Sequence, residues 1–182
     1  AALSSVTTSD DNVAIGYEAL DGVLTTAASG AVAIGKSALG ALTSGAGNTA
    51  VGYRTLETIT TATNNVALGY QAMQDTKDGT VIDGCVGIGF QALMGNASQS
   101  ADISGTVAIG KSALTALTSG AGNVAIGYQS LDALTTGTNN TAMGYQALSA
   151  SVDGASNAAF GYLALANSSS SGAGSNSAFG YI

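Results

Sequence analysis

Asp75, Asp78 and Asp83 gather three hard oxygen donors in one short stretch, and donors of that kind suit calcium. Their spacing matches no established calcium loop. The stretches that carry and follow them, 75 to 84 and 94 to 105, therefore read as solvated turns, with calcium binding or a surface recognition feature as the minor alternatives. Cys85 is the single cysteine, so no internal disulfide can form,. It stands where most repeats carry Asn and reads as a small buried residue. With no His and no Trp, a Ser-His-Asp triad, a Cys-His pair and the usual zinc sites are unavailable. No catalytic residue, metal or cofactor is assigned, and the chain is expected not to be an enzyme.

The other residues with chemical character are aromatic. All seven tyrosines, Tyr17, Tyr53, Tyr70, Tyr128, Tyr145, Tyr162 and Tyr181, directly follow a glycine of one repeated motif, and three further copies have Lys36, Phe90 and Lys111 there. The glycines are Gly16, Gly35, Gly52, Gly69, Gly89, Gly110, Gly127, Gly144, Gly161 and Gly180, with spacings of 19, 17, 17, 20, 21, 17, 17, 17 and 19. A repeat of this size marks a solenoid, one coil stacked on the last. Stacking would bring the rings within about 4.5–7 Å of each other. It would also set Lys36 between Tyr17 and Tyr53, and Lys111 between Phe90 and Tyr128, in cation–π range. A structural ladder is preferred here to a ligand-binding aromatic strip. Asn12, Asn48, Asn65, Asn123, Asn140, Asn157 and Asn176 recur four residues before their glycines, where stacked amides can bond along the axis.

The elements that must position these columns are short strands. Asn-Val-Ala-Ile at 12 to 15 and Asn-Thr-Ala-Val at 48 to 51 alternate with period two. Val or Thr, then the larger aliphatic, then Tyr form one face, while Asn, Ala and Gly form the other. Neither face carries charge beyond the two lysines, so burial on both sides is expected. The thin Ala-Gly face is expected to meet a neighbouring chain. Leu20, Leu39, Leu56, Met73, Leu93, Leu114, Leu131, Leu148 and Leu165 fall four places after their glycines, a spacing that fits either a short helical turn or a bent corner. Segments such as Thr-Thr-Gly-Thr-Asn-Asn at 135 to 140 read as turns. One rung buries too little apolar surface to offset its backbone entropy, so the rungs must stack. The fold class is all-β, a parallel β-solenoid or β-roll of ten rungs of 17 to 21 residues filling one domain, 1–182. Residues 31 to 53 and 106 to 128 are near copies displaced by 75, which marks duplication of a four-rung block.

Composition narrows the partners. Charged residues make up 8% of the chain, against roughly 25% in ordinary soluble proteins. Eleven acidic residues outnumber four basic ones, for a net charge of −7. That balance repels phosphate backbones and anionic headgroups, so no nucleic acid is expected. No apolar run reaches the ~20 residues of a membrane span, and no membrane insertion is expected. So little charge with a positive mean hydropathy favours burial against copies of the same chain.

The Asn-x-Val-Ala-Ile-Gly strand resembles the head repeats of trimeric autotransporter adhesins, and NTAMGYQAL at 140 to 148 resembles repeats of bacteriophage tail-fibre proteins. The resemblance runs from Asn12 to Tyr181 and implies a left-handed parallel β-roll, a homotrimer, and an extracellular place on a cell surface or virion. The period is longer than the one common in those adhesin heads. The expected function is a non-enzymatic structural fibre segment, a virion tail-fibre shaft or adhesin head, that spaces or displays a surface for a host glycan or receptor. One alternative is a secreted filament stacked end to end, since setting Ile182 before Ala1 gives a Gly180-to-Gly16 spacing of 18. Another is an ice-binding solenoid, although Thr-Thr at 7–8, 25–26, 60–61 and 135–136 keeps no fixed offset.

Overall fold

The computed structural model describes residues 2, 11–25, 28–76, 82–95, 102–168 and 174–181. Ten three-residue strands follow one another: β1 (Val13–Ile15), β2 (Val32–Ile34), β3 (Thr49–Val51), β4 (Val66–Leu68), β5 (Val86–Ile88), β6 (Val107–Ile109), β7 (Val124–Ile126), β8 (Thr141–Met143), β9 (Ala158–Phe160) and β10 (Ser177–Phe179). They form one parallel sheet in sequence order, β1 to β10. Every pairing sets like on like: Val32 beside Thr49, Ala33 beside Ala50, Ile34 beside Val51. The chain is thus a parallel β-solenoid, and register survives the longer rungs, where Val66 pairs with Val86 and Val86 with Val107.

Hydrogen bonds between rungs continue around the coil beyond the strands. Gly35 N–H donates to Ile15 O at 2.7 Å, Ser37 N–H to Tyr17 O at 2.9 Å, Leu39 N–H to Thr55 O at 3.0 Å and Thr43 N–H to Thr60 O at 2.9 Å. This leaves few backbone groups unpaired, the condition for burying so much chain.

The segment after each glycine is a bent corner, and no helix forms among the described residues. Two residues per corner are left-handed. The second after the glycine, as in Gln71 and Gln129, has φ of 49–56°, and the fourth, Leu20 through Leu165, has φ of 47–53°. An α-helical turn would need negative φ at both. Left-handed Leu costs roughly 1–2 kcal/mol, and the corner keeps it because the side chain then points into the coil. Leu20, Leu39, Leu56, Met73, Leu93, Leu114, Leu131 and Leu148 are all fully buried.

That core decides which strand face is inside, and the expectation of a thin face against another chain is reversed. The central alanines Ala33, Ala50, Ala67, Ala108, Ala125, Ala142 and Ala159 are fully buried within the single coil. The Val or Thr and the large aliphatic residues on either side of them are part-exposed in nearly every strand. The interior is filled by the corner residues together with Leu24, Leu42, Ile59, Leu117 and Leu134 from further along the rungs, and the strand contributes only Ala to it. In β5 Gly87 replaces Ala, and a Cβ there would lie 2.6 Å from Met73 Cγ. The longer Met has taken the space that Ala leaves elsewhere.

The motif glycines answer to a different constraint. From Gly16 to Gly161 their φ is 126–145°, and an added Cβ would sit closer than 3.0 Å to the carbonyl of the next motif glycine. Side chains are excluded by rung-to-rung backbone contact. Gly127→Ala should therefore cost about 3 kcal/mol or more, seen as a large fall in Tm, whereas Asp132→Ala on the corner, which removes a part-buried carboxylate, should leave Tm unchanged or slightly raised. Equal tolerance of both changes by thermal melts would refute this account.

Candidate functional site

Three columns line the outward face of the sheet. The first is Val or Thr from β1 to β8 and then Ala158 and Ser177, the second runs Ile15, Ile34, Val51, Leu68, Ile88, Ile109, Ile126, Met143, Phe160, Phe179, and the third is the ring column that follows the glycines. Phe160 and Phe179 stack at 4.9 Å within the second column. In the third, centroids lie 5.0 Å apart for Tyr53–Tyr70, 5.4 Å for Tyr70–Phe90, 5.1 Å for Tyr128–Tyr145 and Tyr145–Tyr162, and 5.0 Å for Tyr162–Tyr181. Interplanar angles of 6–19° make these stacked pairs,. The rings cover one another's faces, so edges and hydroxyls meet solvent and the broad faces are not free for a sugar.

Two lysines interrupt the rings. Lys111 Nζ lies 5.7 Å from the Phe90 centroid and 5.8 Å from that of Tyr128, and Lys36 Nζ lies 5.6 Å from that of Tyr17. Both are exposed. No other charged residue occurs between the Asn position and the ring position of any rung. Arg54 pairs with Glu57 at 2.6 Å on the corner wall.

On the inner side the Asn ladder forms in two runs. Asn65 Nδ2 donates to Asn48 Oδ1 at 3.1 Å, while Asn140, Asn157 and Asn176 each donate to the preceding Asn at 3.0 Å. Asn48, Asn123 and Asn140 also donate to the Ala62, Gly137 and Gly154 carbonyls at 2.7–2.8 Å. Asn12 Oδ1 accepts from Ala31 N–H at 2.8 Å. The runs stop at Cys85 and Thr106. Cys85 is buried, as expected, and burial pushes its thiol up to about 11, so it stays protonated at neutral pH. Its Sγ donates to Ile103 O at 3.2 Å, while Thr106 Oγ1 is buried without a partner. Ile82 and Ile103, three residues before these breaks, fill the core there. Their signal was an aliphatic residue where other rungs carry Gly or Ala.

A second polar ladder, missed in the sequence, climbs the corner: Gln91 Nε2 donates to Gln71 Oε1 at 2.9 Å and Gln146 Nε2 to Gln129 Oε1 at 3.0 Å. Of the acidic group, Asp83 Oδ1 accepts from Thr63 N–H at 2.8 Å and from Thr63 Oγ1 at 2.9 Å. Asp78 lies outside the described residues, as do Thr7, Thr8 and Thr26. Among the described residues no three acidic, His or Cys groups gather as a metal site. Thr25, Thr43, Thr118 and Thr135 spend their hydroxyls on carbonyls of the next rung at 2.8–3.1 Å, instead of presenting a free array to water.

No family model, curated protein or solved structure matches the chain.

Two predictions follow from these ladders. At 85 an amide could donate to the Ile103 carbonyl as the other Asn residues do to theirs, and at 106 it would satisfy a site now holding an orphan hydroxyl. The double change Cys85→Asn with Thr106→Asn should raise stability by about 1–2 kcal/mol, read as a higher Tm; a fall in Tm would count against a transferable ladder. Burial raises the Asp132 carboxyl above its ordinary value, and its Oδ1 has no partner. The native state then binds the proton more tightly than the unfolded chain, so stability falls as pH rises through the raised value. Asp132→Asn should melt higher than wild type at neutral pH and lose that advantage towards pH ~4.

Proposed function

We propose that the chain is a non-enzymatic structural rod. On this reading it is a segment of an extracellular fibre, a virion tail-fibre shaft or bacterial adhesin head, that spaces or displays a surface for a host glycan or receptor. The observation that carries the reading is the unbroken ten-strand register. Ten rungs at about 4.8 Å give a stiff body on the order of 50 Å long, with no helix among the described residues long and apolar enough to cross a membrane.

The rod works as a homo-oligomer, with copies side by side on the outward sheet face. Ten strands at about 4.8 Å by four residues at about 3.3 Å make that face roughly 600 Å². Two copies would bury about 1,200 Å², at the lower end of specific interfaces, and an apolar patch of this size is large for a monomer's free surface. The trimer suggested by the resemblance uses the same face. This differs from packing through alanine, because the alanines are already spent inside each coil.

Sedimentation velocity across concentration tests the reading. Wild type should sediment as a discrete oligomer, and Ile126→Lys, on the outward face, should yield monomers with an unchanged circular dichroism spectrum. A wild-type chain that is monomeric at every concentration would overturn side-by-side assembly. Indefinite threads in electron micrographs would favour the end-to-end filament instead.

A further inference from the structure

The aliphatic and ring columns are separated by the motif glycines, which carry no side chain and are half-buried from Gly35 to Gly161. A straight groove with a glycine floor therefore runs along the rod between two apolar walls. Across rungs three to five the walls are Val51, Leu68 and Ile88 on one side and the stacked Tyr53, Tyr70 and Phe90 on the other. At the two ends of this stretch stand Lys36 and Lys111, the only charges on the face. Four rungs separate their backbones, about 19 Å along the axis, and Lys36 Nζ leans outward from the stretch over Tyr17. Two of the chain's four basic residues are thus placed here although the whole carries −7, and among the described residues neither forms an ion pair.

We propose that this stretch binds an elongated, flat, conjugated dianion, lying along the axis with one anionic group at each lysine. The flat body suits the groove because an in-register sheet presents straight apolar walls with no projecting side chain between them. Aromatic and aliphatic contact supplies most of the affinity, and the lysines fix length and position through charge-assisted hydrogen bonds. A ligand with the same flat body but one charge, or with two charges too close together, satisfies only half the site. The inference goes beyond the rod reading. A copy laid on the same sheet would cover the groove, so ligand and copy compete.

The probe is Congo red, a rigid bis-azo disulfonate, titrated by calorimetry and absorbance into wild type and into Lys36→Met, Lys111→Met and the double variant, each verified as folded by circular dichroism. Expected is saturable binding of one dye per chain. Loss of either lysine should weaken it roughly fivefold and loss of both about 25-fold, as expected of part-exposed charge pairs, and raised salt should erase the difference between the proteins. Naphthalene-2,6-disulfonate, too short to reach both lysines, should bind at least tenfold more weakly than Congo red. Equal affinity in the double variant would mean dye adsorption common to any parallel sheet and would overturn the site, as would absence of saturable binding or equal affinity for the short dianion. A chain that is monomeric in sedimentation yet binds the dye as described would sink the oligomer while leaving this site standing.

Discussion

The contact on which the structure depends is backbone against backbone at the motif glycine. Each one, at φ near +130°, sits on the carbonyl of the next with no room for a Cβ. The approach is close because parallel strands at hydrogen-bond distance continue straight into a bend without fanning apart. Once Gly16, Gly35 and Gly52 are stacked, the residues on either side must fall into columns. Like then lies on like because each rung has the same sequence at the same place. The Tyr, Asn, Gln and Thr ladders are consequences of this stacking; they stabilise it but do not set its geometry.

A narrow interior is the price of coils this small, and it explains the surface. The core holds the left-handed corner residues Leu20 to Leu148 together with Leu24, Leu42, Ile59, Leu117 and Leu134, and it faces a wall of Ala. With nothing larger than Ala admitted on the strand's inner side, the β-branched and long aliphatic residues that favour strands must point outward. A chain built this way acquires a flat apolar face as a by-product of its own stability. Its few charges sit almost entirely on corners and turns, Glu18, Asp21, Arg54, Glu57 and Asp132 among them. What distinguishes the outer face chemically is then the residue after each glycine, the one outward column that varies between ring and ammonium.

The period, the strands and the columns were legible in the residues because stacking converts a sequence repeat directly into a spatial one. Tyr70 next to Phe90 and Asn140 on Asn123 could be placed from spacing alone. The sidedness of the strand could not. Ala-Gly reads as a thin face in either orientation, and the deciding fact is the width of the coil, which depends on how sharply the corner turns. That turn rests on left-handed conformations at residues such as Gln71 and Leu93 that carry no local signature of it. One left-handed column was visible in principle. The residue before each strand-entrance position is Asp11, Gly30, Gly47, Asn64, Gly84, Gly105, Gly122, Asn139, Ser156 or Ser175, all with positive φ, and Gly, Asn and Asp are the types that accept it most easily.

The two longest spacings show how much irregularity such a rod absorbs. Between Gly69 and Gly110 the rungs lengthen to 20 and 21 residues, yet β4, β5 and β6 pair without a slip. In sequence the extra residues fall between corner and strand entrance, and Ile82 and Ile103 fill the core just before β5 and β6. The amide ladder lapses at the same two rungs, where Cys85 Sγ donates to Ile103 O and Thr106 Oγ1 is unmet. Polar continuity is given up there while apolar filling and strand register are kept. The ordering follows from magnitude: a buried Ile is worth about 1.5–3 kcal/mol, against roughly 1 kcal/mol for an ordinary hydrogen bond. A rod ruled by register can therefore lengthen a rung wherever an aliphatic plug is available, and the strands on either side continue as before.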